Sequence, residues 1–533
     1  MKFRRRAAAA TAVALAFALS ACSADVSDRS EGTTTGGTLV YAGTEPDHLS
    51  PGRQLVAFAQ VESLFAPLVS LDSKNKITYV QAKSVTSDDA THWTITLRSG
   101  WTFQNGEPVT AKSYVDAWNY TAYGPNAWEN SGQLASIVGY TDLNPASGTP
   151  TTKTMSGLNV VDDDTFTVAL THADSQFPLQ LSQAQTGFYP MPEAAYDDIA
   201  AYDRKPIGNG PFAMTKPWVA DKEFTVTAYK KYAGTAPLID AVTFRSYSDT
   251  NTAYTDVLAG NADLVFLPAS KMTTAKADFG DRLYAFSAPG IDYLGFPLWD
   301  KRYSDKRVRQ AISMAIDRDA VNKAIFGGLY APATALTPPA MAGTPLGICG
   351  KFCEFDPKAA KALLKEAGGF SGRLEVVYPG GIGVDSLYEA YANQIRQNLG
   401  IADVVATPTT DWAEYYQSLV DSSVAGPHFG HWGALYQSQQ NTLRSLFTAA
   451  GGCELCTGSY HNETVDDLLD EADSADSQEA AEAAYVRVQK KVLEDFPIVP
   501  TFFDKYAYVT SEKVKTLPQL SGSPVVDKIT LTK

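Results

Sequence analysis

The stretch Ser304-Asp-Lys-Arg-Val-Arg-Gln-Ala-Ile-Ser-Met-Ala-Ile-Asp-Arg318 places an apolar residue at every third or fourth position. Val308, Ala311, Ile312, Ala315 and Ile316 fall on one stripe of a helix that Ser304 can cap. Arg307, Arg309, Asp317 and Arg318 lie towards its margins or solvent side. Elsewhere the period changes to two. Trp93, Ile95 and Leu97 alternate with Thr94, Thr96 and Arg98, as in a half-buried strand. Ser99-Gly100 turns the chain, and Trp101 and Phe103 resume the alternation up to a second turn at Asn105-Gly106. Both periods recur, intermixed, from Thr38 onward, so the fold class is α/β.

Further helices announce themselves by their ends. Thr110 can cap one that sets Val115 and Trp118 on a single face. Asp356-Pro357 supplies an N-cap and a first-turn proline; Leu363, Leu364 and Ala367 form the apolar face, and Gly368 stops it. A long helix covers about Gln478 to Glu494 and ends before Pro497, and a β-type segment follows at Ile498 to Phe503. No fixed-period repeat and no long linker divides the body, which reads as one multi-lobed unit.

The first 22 residues have a different composition. Lys2 and Arg4 to Arg6 are basic, Ala7 to Leu19 is small or apolar, and Leu19-Ser20-Ala21-Cys22 resembles a bacterial lipobox. The apolar run falls short of the ~20 residues a spanning helix needs. The expectation is a signal peptide over 1–21, cleavage before Cys22, and a lipid on the Cys22 thiol. Residues 22–37, rich in Ser, Thr, Gly and Asp, read as a flexible linker. The whole chain has 44 Lys and Arg against 59 Asp and Glu; without the four basic residues of the leader the net charge is −19. That excess argues against nucleic acid and anionic lipid surfaces as partners.

Candidate chemistry is sparse. Nucleophile-elbow, HExxH and GxxxxGK[ST] patterns are absent. Asp88-Asp89, Asp162-Asp163-Asp164 and Asp466-Asp467 are consecutive, so their side chains diverge and suit solvated turns and helix starts. Cys349, Cys353, Cys453 and Cys456 could chelate zinc, but outside the membrane disulfides are favoured. Local pairs, Cys349 with Cys353 and Cys453 with Cys456, fit the short spans, and cross-pairing stays open. His428 and His431, near Cys453, Cys456 and His461, read as hydrogen-bonded histidines in a loop, with no metal assigned and no cofactor. Trp412, Tyr415, Tyr416, Trp432 and Tyr436 cluster in a stretch with few charges, as core or as the wall of a ligand cleft.

An ordered series of motifs resembles the extracellular solute-binding proteins of family 5, the oligopeptide-binding receptors of ABC importers. It comprises Val61-Glu-Ser-Leu-Phe-Ala-Pro-Leu68, Gln81-Ala-Lys-Ser-Val85, Trp93-Thr-Ile-Thr-Leu-Arg98 and Asn105-Gly106-Glu-Pro-Val-Thr-Ala111. Ile207-Gly-Asn-Gly-Pro-Phe212, Leu258-Ala-Gly-Asn-Ala-Asp-Leu264, Arg307-Val-Arg-Gln-Ala311, Ala315-Ile-Asp-Arg318 and Pro338-Pro339 continue it. Asp356-Pro357 with Ala362-Leu-Leu-Lys-Glu-Ala-Gly368 completes it. The resemblance implies a bilobed α/β body of the periplasmic-binding-protein type with a third domain. Domain I would comprise 38–57, 181–284 and 501–533, the inserted domain II 58–180, and domain III 285–500. It implies a monomeric, non-enzymatic receptor, held by lipid on the outer face of the cell membrane. Such a receptor closes on an extended peptide or peptide-like solute and delivers it to a permease. An oligosaccharide or other solute is the alternative cargo.

Residue by residue, the resemblance carries over Glu45 and Asp47 of Glu45-Pro-Asp47, and Trp432-Gly433-Ala434-Leu435-Tyr436, as ligand contacts; Tyr293 and Trp412 complete the set. The chain departs from the pattern at Leu435, where oligopeptide receptors carry an Asp for the peptide's α-amino group. Either Glu45 or Asp47 takes the amine, or the ligand has none there, which admits modified peptides and glycans.

Overall fold

The computed structural model describes residues 36–72, 75–449 and 457–532. The alternation at Trp93 becomes the strand His92–Leu97, paired on both sides in a four-stranded antiparallel sheet with Ala82–Thr86, Thr165–Ala169 and Leu158–Asp162. Helix Ala111–Ala122 covers this sheet, started by a capping box between Thr110 and Ser113. Its Tyr114 and Trp118 rings lie 5.7 and 5.4 Å from Phe166, and all three are buried. Trp101 and Phe103 are buried too, but they do not extend into a strand. Around the Asn105-Gly106 turn only the single bridge Thr102–Pro108 forms, since Pro108 has no N–H to carry a ladder further.

The second sheet has eleven strands and is organised by two of them. Leu283–Gly295 and Ile498–Thr510, thirteen residues each, run antiparallel side by side. On one side the pair continues through Leu264–Phe266, Thr38–Gly43, Ala241–Ser246, Phe224–Ala228 and Phe212–Met214. On the other it continues through His428–Gly433, Leu374–Tyr378 and Val404–Pro408. The first group pairs with the 508–510 end of the long strands and the second with residues 290–295. The two long strands therefore join one lobe to the other. Their register shifts between Ser287 and Ile291, where Pro289 cannot donate to the ladder. The result is a bilobed α/β body, with the four-stranded sheet as a third unit.

The stripe read in 304–318 is buried as expected, but its margins differ. Asp305, not Ser304, caps the helix Lys306–Met314, accepting from the Arg307 N–H at 2.8 Å, while Ser304 Oγ donates to the Lys301 carbonyl. Arg309 and Arg318 are not at the solvent side: they are 6% and 3% exposed. The helix ends at Met314 and a new one, Arg318–Ile325, starts after the Asp317 cap, so Arg318 leaves the first helix's phase. Both guanidinium groups point inward because carbonyls await them: Phe496 and Asp495 for Arg309, Pro500 for Arg318.

Other ends agree with the sequence. Asp356 caps Pro357–Glu366 and Ser477 caps Gln478–Asp495. The strand after Pro497 runs on to Thr510. Gly36 and Gly37, at the end of the expected linker, already bond to Leu238 and Asp240. The Cys349 and Cys353 sulfurs are at bonding distance with Cα atoms 5.7 Å apart. Cys22, Cys453 and Cys456 lie outside the described residues. Among the described residues no helix is long and apolar enough to cross a membrane.

Candidate functional site

A cavity of about 680 Å³ opens where the third unit meets the two lobes. Helix Phe58–Leu64 presents Phe58 and Glu62 to it; the segment after His428–Gly433 adds Ala434 and Gln437; the C-terminal segment 520–528 closes another side. Its volume is that of a small-molecule site, roughly 300–1,000 Å³. Aromatic rings form much of the wall, among them Trp101 and Tyr232, edge to face at 5.6 Å.

The polar groups on this wall are unusual in lacking partners. Tyr189, Gln437 and Ser521 line the cavity, and the Tyr189 hydroxyl, Gln437 Oε1 and Ser521 Oγ are sealed from solvent and make no hydrogen bond among the described residues. Buried polar atoms are nearly always paired, and leaving one unpaired costs about 1–3 kcal/mol. Charges of both signs stand on the same wall: Glu62 and Asp527, Arg98 and Lys528. Solvent reaches Glu62 through the cleft while protein surrounds it. Burial, and then the neighbouring Asp527 charge, push its carboxyl up to about 7. Burial also raises Asp527, partly offset by Lys528.

Of the residues singled out from sequence, Ala434 lines this cavity, and its N–H donates to the Pro289 carbonyl at 2.9 Å. Gly433 sits opposite Gly290 in the sheet. Trp432 Nε1 and the Leu435 N–H both donate to Asn441 Oδ1. Tyr436 is buried against Leu71 and Leu179, its hydroxyl donating to Gln440 Oε1 at 2.7 Å. Tyr293 is a core residue whose ring occupies the space that a Cβ on Gly430 would need. Trp412 is half exposed and lies edge to face on Phe429. Glu45 accepts from Trp218 Nε1 at 2.9 Å and the Asp221 N–H, and Asp47 from the Leu55 N–H at 2.6 Å. Of the expected ligand contacts the structure thus puts only Ala434 on the wall of this cavity; Trp432, Gly433, Leu435, Tyr436, Glu45, Asp47, Tyr293 and Trp412 are not part of its lining.

Glu62, Tyr189, Gln437, Ser521 and Asp527 were not read from the sequence as site residues. Glu62 belongs to the motif Val61 to Leu68. Nothing local marks the other four, whose neighbours come from distant segments.

Two lobes joined by a pair of strands, with a partly unpaired polar cavity at their junction, define a solute-binding protein. Residues 76–452 match the bacterial extracellular solute-binding proteins, family 5 (middle region), and the chain belongs to that family. It is 25% identical over 479 residues to the "probable deoxycholate-binding periplasmic protein YgiS" of Escherichia coli strain K12, covering 86% of each chain. It is 25% identical over 500 residues to the periplasmic murein peptide-binding protein MppA of the same strain, covering 90% of this chain and 89% of MppA. Among solved structures, the unliganded open form of MppA superposes with a TM-score of 0.83 at 24% identity, over 94% of this chain and 98% of that one. A second structure of Escherichia coli MppA gives 0.69 at 23% identity, over 94% and 99%. These likenesses concern the fold; the relatives' names span a bile acid and a peptide.

Proposed function

We propose that this chain is the capture component of an ABC importer and takes an oligopeptide or peptide-like solute into the cavity at the lobe junction. The observation that carries this reading is the cavity of about 680 Å³ lined by aromatic rings and by charges of both signs, with unpaired polar atoms of Tyr189, Gln437 and Ser521 behind its wall. Peptide N–H and C=O groups are common to all sequences and would satisfy such a wall without reading side chains. The likeness to an unliganded open form supports taking the present arrangement as open, with closure by bending at the register break near Pro289.

The finer organisation belongs to the same proposal: domain I over 38–57, 181–284 and 501–533, domain II over 58–180, and domain III over 285–500. The lipid on Cys22 tethers the receptor to the outer face of the membrane beside its permease and raises its local concentration there. A Cys349–Cys353 disulfide fits that oxidising side.

The test is native mass spectrometry of the gently purified protein, followed by calorimetry with the solute found and with peptide and oligosaccharide panels. Retained or titrated peptides support the reading. Tight binding of a glycan with no response to peptides sinks it. For the tether, a Cys22→Ala variant should appear in the medium, and its retention on cells would refute the lipid anchor.

A further inference from the structure

Three neighbouring strands carry Asp292, His431 and Asp504, and one donor atom from each lies within 4.8 Å of the others. Asp292 and His431 are direct partners across the antiparallel pair, so their side chains share a face. His431 Nε2 stands 2.9 Å from Asp504 Oδ2. The Asp504 carboxylate lies over Gly290, where a Cβ would come within 2.0 Å of its oxygen. Glycine at 290 is what gives the carboxylate room to reach the imidazole. Among the described residues no lysine or arginine forms an ion pair with Asp292 or Asp504. Two carboxylates therefore share a single imidazole.

We propose that Asp292, His431 and Asp504 form a binding site for a divalent transition-metal ion of the zinc kind. One imidazole nitrogen and two carboxylate oxygens are donors that such borderline ions accept, and the two carboxylate charges balance the ion. Around a tetrahedral ion with bonds of ~2.1 Å the donors stand about 3.4 Å apart, so small rotations of the carboxylates complete the set. Three protein ligands leave one position open. Asp504 and Tyr506 are two residues apart on one strand and share its face, and Tyr506 lines the cavity. The open position thus faces the cleft side of the sheet. A bare ammonium is a poorer match: His431 protonated towards Asp504 would repel it, whereas a metal uses the imidazole as a ligand. The site stands independently of which solute the receptor carries.

The test uses the full chain, stripped with chelator and titrated with Zn²⁺ by calorimetry and with Co²⁺ by visible absorption. One equivalent should bind, with a cobalt spectrum of nitrogen and oxygen ligation. His431→Gln, Asp292→Asn and Asp504→Asn should each weaken Zn²⁺ binding at least tenfold, and His92→Gln, at an exposed His–Asp pair, should leave it unchanged. No Zn²⁺ binding by the parent chain, or equal binding by His431→Gln, overturns the proposal. X-ray absorption of the zinc-loaded parent chain gives a reading independent of variant folding: an imidazole with oxygens supports the site, and sulfur ligation refutes it.

Discussion

Glu62 and Asp527 share one wall of the central cavity, and neither forms an ion pair among the described residues. Folded, Glu62 keeps its proton up to about 7, against 4.5 for an ordinary glutamate. The group's stabilising contribution is whole below pH 4.5 and is lost as pH rises through 7. Glu62→Gln should therefore stabilise the protein at pH 8 and change little at pH 4.5. Solvent in the cleft screens the effect, to about 1 kcal/mol. Urea unfolding of both proteins at the two pH values checks this; equal differences at both would contradict the assigned environment.

A second prediction concerns the contact between the third unit and the far lobe. Arg444 Nε is 2.5 Å from Asp473 Oδ2, and the Tyr485 hydroxyl holds the other oxygen. The Asp473 backbone carbonyl accepts from Ser175, and Gln440 reaches Asp174. Arg444→Met strands a carboxylate that is almost wholly buried, at a cost of roughly 3 kcal/mol. Adding Asp473→Asn should return part of that loss, since no unpaired charge then remains. A double-mutant cycle by denaturant titration measures the coupling, and strictly additive losses would count against it.

How much of this was legible beforehand follows the reach of each interaction. The stripe Val308 to Ile316, the Thr110 cap and the Asp356-Pro357 start are local patterns, and the structure reproduces them. Arg309 and Arg318 were misplaced because, beside nearby acceptors, each is drawn inward by carbonyls 182 or more residues away in the chain, on Asp495, Phe496 and Pro500. The cavity was hidden for the same reason: Tyr189, Gln437 and Asp527 meet only when the lobes are assembled. The aromatic run from Trp412 to Tyr436 was visible as a cluster, yet Tyr415 and Tyr436 went to core packing. Density of aromatic residues in sequence does not say which surface they will cover.

The glycine at 290 supplies a third prediction. It faces Gly433 across the sheet and lies under the Asp504 carboxylate, at the register break between the lobes. Gly290→Ala would push a methyl into that carboxylate and force the long strands apart locally. The expected loss is about 1–3 kcal/mol, the usual range for overpacking. Gly433→Ala, whose Cβ meets only a side-chain atom of His431 at 3.7 Å, should be nearly neutral. Thermal unfolding of the two variants separates them, and similar melting temperatures would show that the Gly290 site can relax.

Arg318 offers the last prediction, because it separates charge from geometry. Its guanidinium donates twice to the Pro500 carbonyl, at 2.9 and 2.7 Å, once to the Ser313 hydroxyl at 2.8 Å, and to the Ser313 carbonyl at 3.1 Å. Burial lowers its pKa to about 10, which still leaves it charged at neutral pH. The side chain has no carboxylate partner among the described residues, so its value lies in making these four hydrogen bonds, to three acceptor atoms, with one rigid fork. Lys keeps the charge but has a single ammonium that cannot reach both Pro500 and Ser313. Arg318→Lys should therefore lose about 2–4 kcal/mol, close to Arg318→Met, which loses the hydrogen bonds without burying a charge. Had charge been decisive, Lys would retain most of the stability. Urea unfolding of the three proteins at pH 7 decides between them.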